Sequence, residues 1–266
     1  MAKTGAIRVG VGGWSYEPWN ETFYPQGLAK AKQLGYASRQ LTAIEINATF
    51  YRTQSPATYR KWAEETPDDF VFSLKANRFA TNRKDLAEGA ESVARFLASG
   101  ITELGAKLGP ILWQLAPTKK FDAAEIDAFC AVLPHERDGV RLRHVLEVRH
   151  KTFVTPACVE IARKHGIAIC LAISDDYPLI ADPTADFCYV RLQTTVADIE
   201  AGYDPATIAT WVSRCRDLAA GRPADGLPLL GNAPQHEARD CFVFMISGAK
   251  ERNPAAAKAL LAALAA

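Results

Sequence analysis

The sequence of 266 residues carries almost no net charge: 31 Lys and Arg stand against 30 Asp and Glu, a formal +1 at neutral pH. It therefore has no global field to hold nucleic acid or an anionic membrane, and only a local basic patch can serve either purpose. No run approaches the roughly 18 apolar residues of a membrane span, and Met1 to Gly5 lead straight into a strand pattern with no apolar signal segment. The expectation is a cytoplasmic protein without a membrane partner. The six cysteines, at 130, 158, 170, 188, 215 and 241, form no Cys-x-x-Cys pair and mostly sit among apolar neighbours. That is the pattern of buried reduced thiols, not of disulfides or metal ligands. Gly10-Val-Gly-Gly13 lacks the Gly-x-Gly-x-x-Gly spacing of a dinucleotide-binding turn, and Ser15, in Gly-Trp-Ser-Tyr, lacks the flanking glycines of a nucleophile elbow. No organic cofactor is expected.

What is present is a regular order of elements. With 48% hydrophobic and 23% charged residues and no linker dividing it, the chain reads as one domain, 1–266, with a large core. Strand patterns fall at 7–13, 43–50, 70–77, 110–116, 143–150, 167–175, 187–193 and 241–247. Ser55-Pro56, Thr155-Pro156, Asp204-Pro205 and Asn253-Pro254 each place a capping side chain before a proline that presets the first helical φ, and each follows a strand. Eight strands with mostly intervening helices predict an α/β protein of the (β/α)₈ TIM-barrel type. One connection departs from the pattern. Asp176 to Asp186 is eleven residues long and holds Pro178 and Pro183, so the helix between strands six and seven is expected to be incomplete. Gly221 to Asp240 is Pro/Gly-rich without periodicity, an insertion or a lid.

In a barrel, alternate strand residues point inward, and those at the C-terminal strand ends line the mouth. Alternation sends Glu45, Asn47, Lys75, Asn77, Gln114, Glu147, Arg149, Arg191 and Gln193 inward, with Asp175 at the end of the sixth strand. Barrel interiors are usually aliphatic, and a buried charge costs several kcal/mol unless paired. Two carboxylates against three cations therefore mark a site, one that an anion or Asp175 can balance.

The motifs Val11-Gly-Gly-Trp-Ser-Tyr-Glu-Pro-Trp19, Ile44-Glu-Ile-Asn-Ala-Thr-Phe-Tyr51, Leu108-Gly-Pro-Ile-Leu-Trp-Gln114 and Glu147-Val-Arg-His150, with Phe23-Tyr-Pro25 and the run Trp62 to Lys75, together resemble the family catalogued as domain of unknown function 72. The resemblance covers nearly the whole chain and implies a (β/α)₈ barrel, with no settled reaction. The chain departs from that family's pattern at Asn82, at Gln193 and at Met245-Ile-Ser247.

Three functional readings follow. In the first, an enzyme takes a small polar, anionic or sugar-like substrate at the mouth, with Glu45, Glu147 and Asp175 as catalytic carboxylates of unlike proton affinity. Trp14, Tyr16, Asn47, Tyr51, Lys75, Gln114, Arg149, Arg191 and Gln193 bind the substrate, the aromatics as stacking platforms and Arg191 as a planar fork for an anion. Gly248 to Pro254, before a helix start, is where barrels often hold phosphate. In the second, Glu45, Glu147, His150 and Asp175 hold a divalent metal in a phosphodiesterase acting on nucleic acid or a nucleotide, although alternation turns His150 away from the mouth. In the third, the charge network only binds a metabolite or supports the fold. His135, His144, His165 and His236 read as structural or solvated.

Overall fold

The computed structural model describes residues 4–232 and 237–266; His236 lies outside them. The sheet strands are β1 (Ile7–Gly12), β2 (Ala43–Ile46), β3 (Val71–Lys75) and β4 (Leu108–Gln114). A two-stranded ribbon follows, β5 (Glu136–Arg137) and β6 (Val140–Arg141), and then β7 (His144–Glu147), β8 (Ala168–Ile169), β9 (Leu171–Ile173), β10 (Phe187–Leu192) and β11 (Asp240–Met245). Nine parallel segments run β8-β7-β4-β3-β2-β1-β11-β10-β9. The two end segments, β8 and β9, are the halves of one strand broken at Cys170. The first pairs with β7 and the second with β10, so eight strands close a barrel. The Cys170 amide still donates to the Leu146 carbonyl at 2.9 Å, which bridges the break.

Close approach of β1 to β2 needs Gly10, since a Cβ there would lie 1.8 Å from the Ala43 carbonyl oxygen. Inside the barrel, Ala43, Val71, Leu112, Val145, Ala168, Cys170, Phe187, Tyr189, Phe242 and Phe244 form an apolar floor. The opposite face of each strand packs on the helices in a second core that includes Val9, Ile44, Phe72, Trp113, Leu146 and Val190. This two-sided burial is what a parallel sheet requires. All six cysteines are free and buried.

The four cap-plus-proline pairs mark helix starts at Pro56–Glu65, Pro156–Lys164, Pro205–Ala219 and Asn253–Ala265. Ser55 and Asp204 accept from the amides three residues on, at 3.2 and 2.9 Å. Asn253 works differently. It is the first helical residue, and its side-chain Nδ2 donates to the carbonyls of Met245, the last residue of β11, and of Ser247 just beyond it. No helix of the described residues is long and apolar enough to cross a membrane.

The sixth connection holds no helix. The gap in the ring is filled by chain from further on: the buried Asp182 carboxylate accepts from the amides of Leu230 and Gly231 at 2.9 and 2.8 Å, and Leu227, Leu229 and Leu230 pack against the core. The described part of the Pro/Gly-rich segment thus lines the barrel flank and contributes nothing to the mouth cavity.

Several strands stop two or three residues short of their patterns, β7 at Glu147 among them, so that Arg149 lies just past its strand, and two larger differences stand out. The second strand stops at Ile46, four residues early, and the chain turns at Asn47 into a single helical turn, Ala48–Tyr51. Thr49 stabilises that turn, its buried hydroxyl lying 2.7 Å from the Lys75 carbonyl and 3.0 Å from that of Ile46. The β5/β6 ribbon is an addition, closed by Asp138-Gly139 with φ of 52° and 73°, the pair of left-handed residues that a two-residue hairpin turn demands.

His144 has a fixed tautomer. Its Nδ1 accepts from the Trp113 indole N–H at 3.0 Å, and its Nε2 therefore carries the proton and donates to the Pro134 carbonyl at 2.7 Å. Burial lowers its pKa from 6.5 to about 4, against the pull of the Pro134 bond. Above pH 6.5 the ring is neutral in both folded and unfolded chains. Between 6.5 and about 4 only the unfolded chain takes the proton, so stability falls through that window, by about 3 kcal/mol from this group. Urea unfolding from pH 7 to pH 4 is expected to show this loss in the wild type and a shallower slope in His144→Gln; equal slopes would contradict the assignment.

Candidate functional site

Three inward positions at the C-terminal ends of their strands, Glu45 on β2, Glu147 on β7 and Arg191 on β10, meet above the apolar floor with at most 2% exposure. Arg191 spans the barrel. Its Nε and Nη2 donate to the two oxygens of Glu45, each at 3.1 Å, and its Nη1 donates to both oxygens of Glu147 at 2.7 and 2.8 Å. Most of the remaining lone pairs are also used. Tyr189, two residues before Arg191 and on the same face, donates its hydroxyl to Glu45 at 2.7 Å and is itself held by Ser73 at 2.8 Å. Gln114 donates to Glu147 at 2.6 Å, and Arg149 reaches the same carboxylate at 3.2 Å. The Arg149 guanidinium also lies 4.1 Å over the Tyr177 ring.

The electrostatics follow from this geometry. Burial alone would raise the Glu147 carboxyl, but Arg191, Arg149, the Gln114 bond and Lys75 together hold it below the ordinary carboxylate range. Burial, and then the Glu45 charge, push the Tyr189 phenol well above its ordinary value, so it remains a donor. Lys75 is different in kind. Its side chain is 8% exposed, and no described residue accepts a hydrogen bond from its ammonium, whose near neighbour is the Phe50 ring at 4.1 Å. Burial and the Arg191 charge lower its pKa from 10.5 to about 8, with Glu45 and Glu147 pulling the other way.

Above this layer opens a cavity of about 800 Å³. Its lining includes Arg52, Lys75, Arg149, Arg191 and Lys250, and no Asp, Glu or His among the described residues. Trp14, Tyr16, Asn47, Tyr51 and Gln114 line it as well, so eight of the nine residues assigned to substrate binding come together at the mouth. Tyr16 stacks under Lys250 at 4.3 Å, and Trp14 packs edge-on against Trp62 at 5.3 Å. Gln193 does not join them: β10 ends at Leu192, and the half-buried Gln193 amide nitrogen has no partner among the described residues.

Asp175 is also outside the site. Residues 168, 170 and 172 face inward, so 175 has the outward parity, and it is exposed beyond the end of β9. It cannot complete the charge balance there, and the layer keeps three cations against two carboxylates. His150 caps a short turn through Thr152 and does not approach the glutamates. Among the described residues, no group of three His, Cys, Asp or Glu is placed to hold a metal ion.

Several lining or supporting residues are not among the candidates named from the sequence. Tyr189 shares the parity of Arg191 and was legible by the same rule. Lys250 sits in the 248–254 loop, tied down by the Trp19 indole donating to its carbonyl at 2.9 Å. Phe50, Trp62 and Tyr177 come from turns, helices and loops, where no periodic signal marks an inward direction.

A profile for a protein family of unknown function, DUF72, matches residues 8–266. The chain belongs to the DUF72 family. It is 30% identical over 142 residues to the UPF0759 protein YecE of Escherichia coli K12, a match covering 52% of this chain and 48% of YecE. It is 32% identical over 78 residues to YunF of Bacillus subtilis, covering 29% of this chain and 27% of YunF. The matched stretches thus span half or less of these relatives. Among solved structures, the DUF72 protein TM1631 of Thermotoga maritima superposes with a TM-score of 0.72 at 21% identity, covering 96% of this chain and 97% of that one. EF0366 of Enterococcus faecalis superposes at 0.71 and 14% identity over the full length of both. At these identities the likeness establishes the barrel fold.

Removing Arg191 leaves two buried carboxylates without their main partner. Arg191→Met is expected to cost roughly 3–5 kcal/mol in urea unfolding, and Arg191→Lys to recover little, since an ammonium cannot fork two carboxylates at once. A loss below about 1 kcal/mol, the range of exposed pairs, would show that the pairing is not what holds the charges.

Proposed function

We propose that this DUF72 barrel binds a small polar anion at its mouth, a phosphorylated sugar or a carboxylate-bearing metabolite, with Lys75 as the central anion ligand. The observation that carries this reading is the lining itself, which brings five cationic side chains to one cavity without a carboxylate among them. An anion there meets little repulsion, because Glu45 and Glu147 lie beneath the surface with their oxygens committed to Arg191 and its neighbours. It also restores balance to a layer one positive charge in excess. The ring faces of Trp14, Tyr16 and Tyr51 add flat apolar surface suited to a sugar or another small ring.

On this reading the two glutamates are positioning residues. Each holds Arg191, and Glu147 also holds Arg149, at the floor of the cavity. The proposal of paired-carboxylate proton transfer is weaker, since a general base needs a free lone pair within reach of substrate. A metal-dependent phosphodiesterase is weaker still, as it requires His150 and Asp175 to join the glutamates.

Isothermal calorimetry with inorganic phosphate, ribose 5-phosphate and free ribose tests the reading. Both phosphates are expected to bind and ribose to bind far less. Lys75→Met is expected to weaken binding by about tenfold to a hundredfold, the range for a lost charged hydrogen bond. Because an anion favours the ammonium, binding at pH 8 should take up protons, seen as a heat that varies with buffer ionisation, and affinity should fall as pH rises through about 8. Equal binding of ribose and its phosphate, or no binding of either anion, would contradict the proposal.

A further inference from the structure

An amine that serves only to neutralise the buried carboxylates would bond to them. Lys75 does not. Glu45 and Glu147 give their oxygens to Arg191, Tyr189, Gln114 and Arg149, and the Lys75 ammonium, with no acceptor among the described residues, stands at the cavity floor over the Phe50 ring. An amine that is accessible from a cavity, flanked by guanidiniums and shielded from bulk water has the environment that makes lysine a nucleophile towards carbonyl carbon. Lys250 and Arg149 line the same cavity and can take the charged end of a molecule, leaving Lys75 to its carbonyl.

We propose that Lys75 is a catalytic residue that forms an imine with the carbonyl group of a small anionic substrate, a 2-oxo acid or a phosphorylated hydroxyketone. The proposal deepens the anion-binding reading and rests on it. The neutral amine adds to the carbonyl carbon, making a C–N bond while the π pair moves to oxygen. One proton is taken from solvent, the amine nitrogen gives up one of its own to the oxygen, and water leaves. The products are a protonated imine and one water, with no oxidant or reductant consumed. The imine carries the same single charge as the ammonium it replaces, so three cations still face two buried carboxylates and the layer beneath need not rearrange. At neutral pH a useful fraction of Lys75 is unprotonated, because burial and Arg191 lower its pKa to about 8.

The test is reductive trapping with cyanoborohydride on the full chain, using pyruvate, dihydroxyacetone phosphate and uncharged dihydroxyacetone, followed by peptide mass mapping. A reduced adduct is expected on Lys75 in preference to every other lysine, from at least one charged carbonyl and faster than from dihydroxyacetone. Which charged probe reacts identifies carboxylate or phosphate as the held group. Lys75→Arg, which keeps the charge, should lose the adduct, and mapping on the wild type needs no variant to fold. Adducts scattered over exposed lysines, or none from either charged probe, would overturn the proposal. If trapping fails while calorimetry still records phosphate binding that Lys75→Met weakens at least about tenfold, the imine is wrong and the anion site stands. If phosphate binding also fails, the reading beneath it falls as well.

Discussion

The structure depends on one guanidinium. Arg191 is 2% exposed, and all three of its nitrogens donate to a pair of carboxylates that are wholly shut off from water. Burying three charges costs several kcal/mol apiece even after relaxation, and close Coulomb pairing offsets that only when the remaining lone pairs are also filled. Here most are: Tyr189 adds a third bond to Glu45, and Gln114 and Arg149 complete Glu147. Such a layer is poor evidence of added stability, because a well-packed apolar layer would hold the barrel as well. Its value is positional. It fixes the direction of cations at a place where a flexible lysine or arginine on a loop would wander.

The same saturation explains why Lys75 is unlike its neighbours. Were one glutamate oxygen vacant, the ammonium would settle against it and keep an ordinary or raised pKa. With every oxygen taken, it faces the cavity under the influence of burial and a nearby guanidinium, both of which favour the neutral amine. The floor thus separates roles. On the proposed reading the glutamates belong to the scaffold, and the groups that meet a ligand are the cations and rings above them.

Strand alternation carried much of this from the sequence, because a period of two is strict wherever the chain stays in the sheet. Glu45, Lys75, Gln114, Glu147 and Arg191 face inward as their parity requires, Arg149 reaches the cavity from two residues past the end of β7, and the cap-plus-proline pairs mark four helix starts because the proline ring sets the first helical φ by itself. The rule fails where strands end. Asn47 and Tyr51 reach the cavity through a helical turn, Gln193 lies one residue past its strand, and Asp175 carries the wrong parity beyond the end of β9. Whether Glu45 and Glu147 were free or bound to one another's partners was not legible, since that depends on distances across the barrel between strands distant in sequence. The filling of the sixth gap by Leu227 to Gly231 is likewise a long-range event, decided by the Asp182 carboxylate meeting two amides that no local pattern points to.

The central claim is that Arg191 saturates the buried carboxylates and leaves Lys75 as an unfilled, partly neutral amine facing the cavity. The most direct measurement is the titration of the Lys75 side-chain nitrogen by NMR, assigned by its loss in Lys75→Arg. The account predicts a midpoint near 8 that moves upward when phosphate is added. A midpoint at the ordinary lysine value of 10.5, unmoved by phosphate, would contradict it.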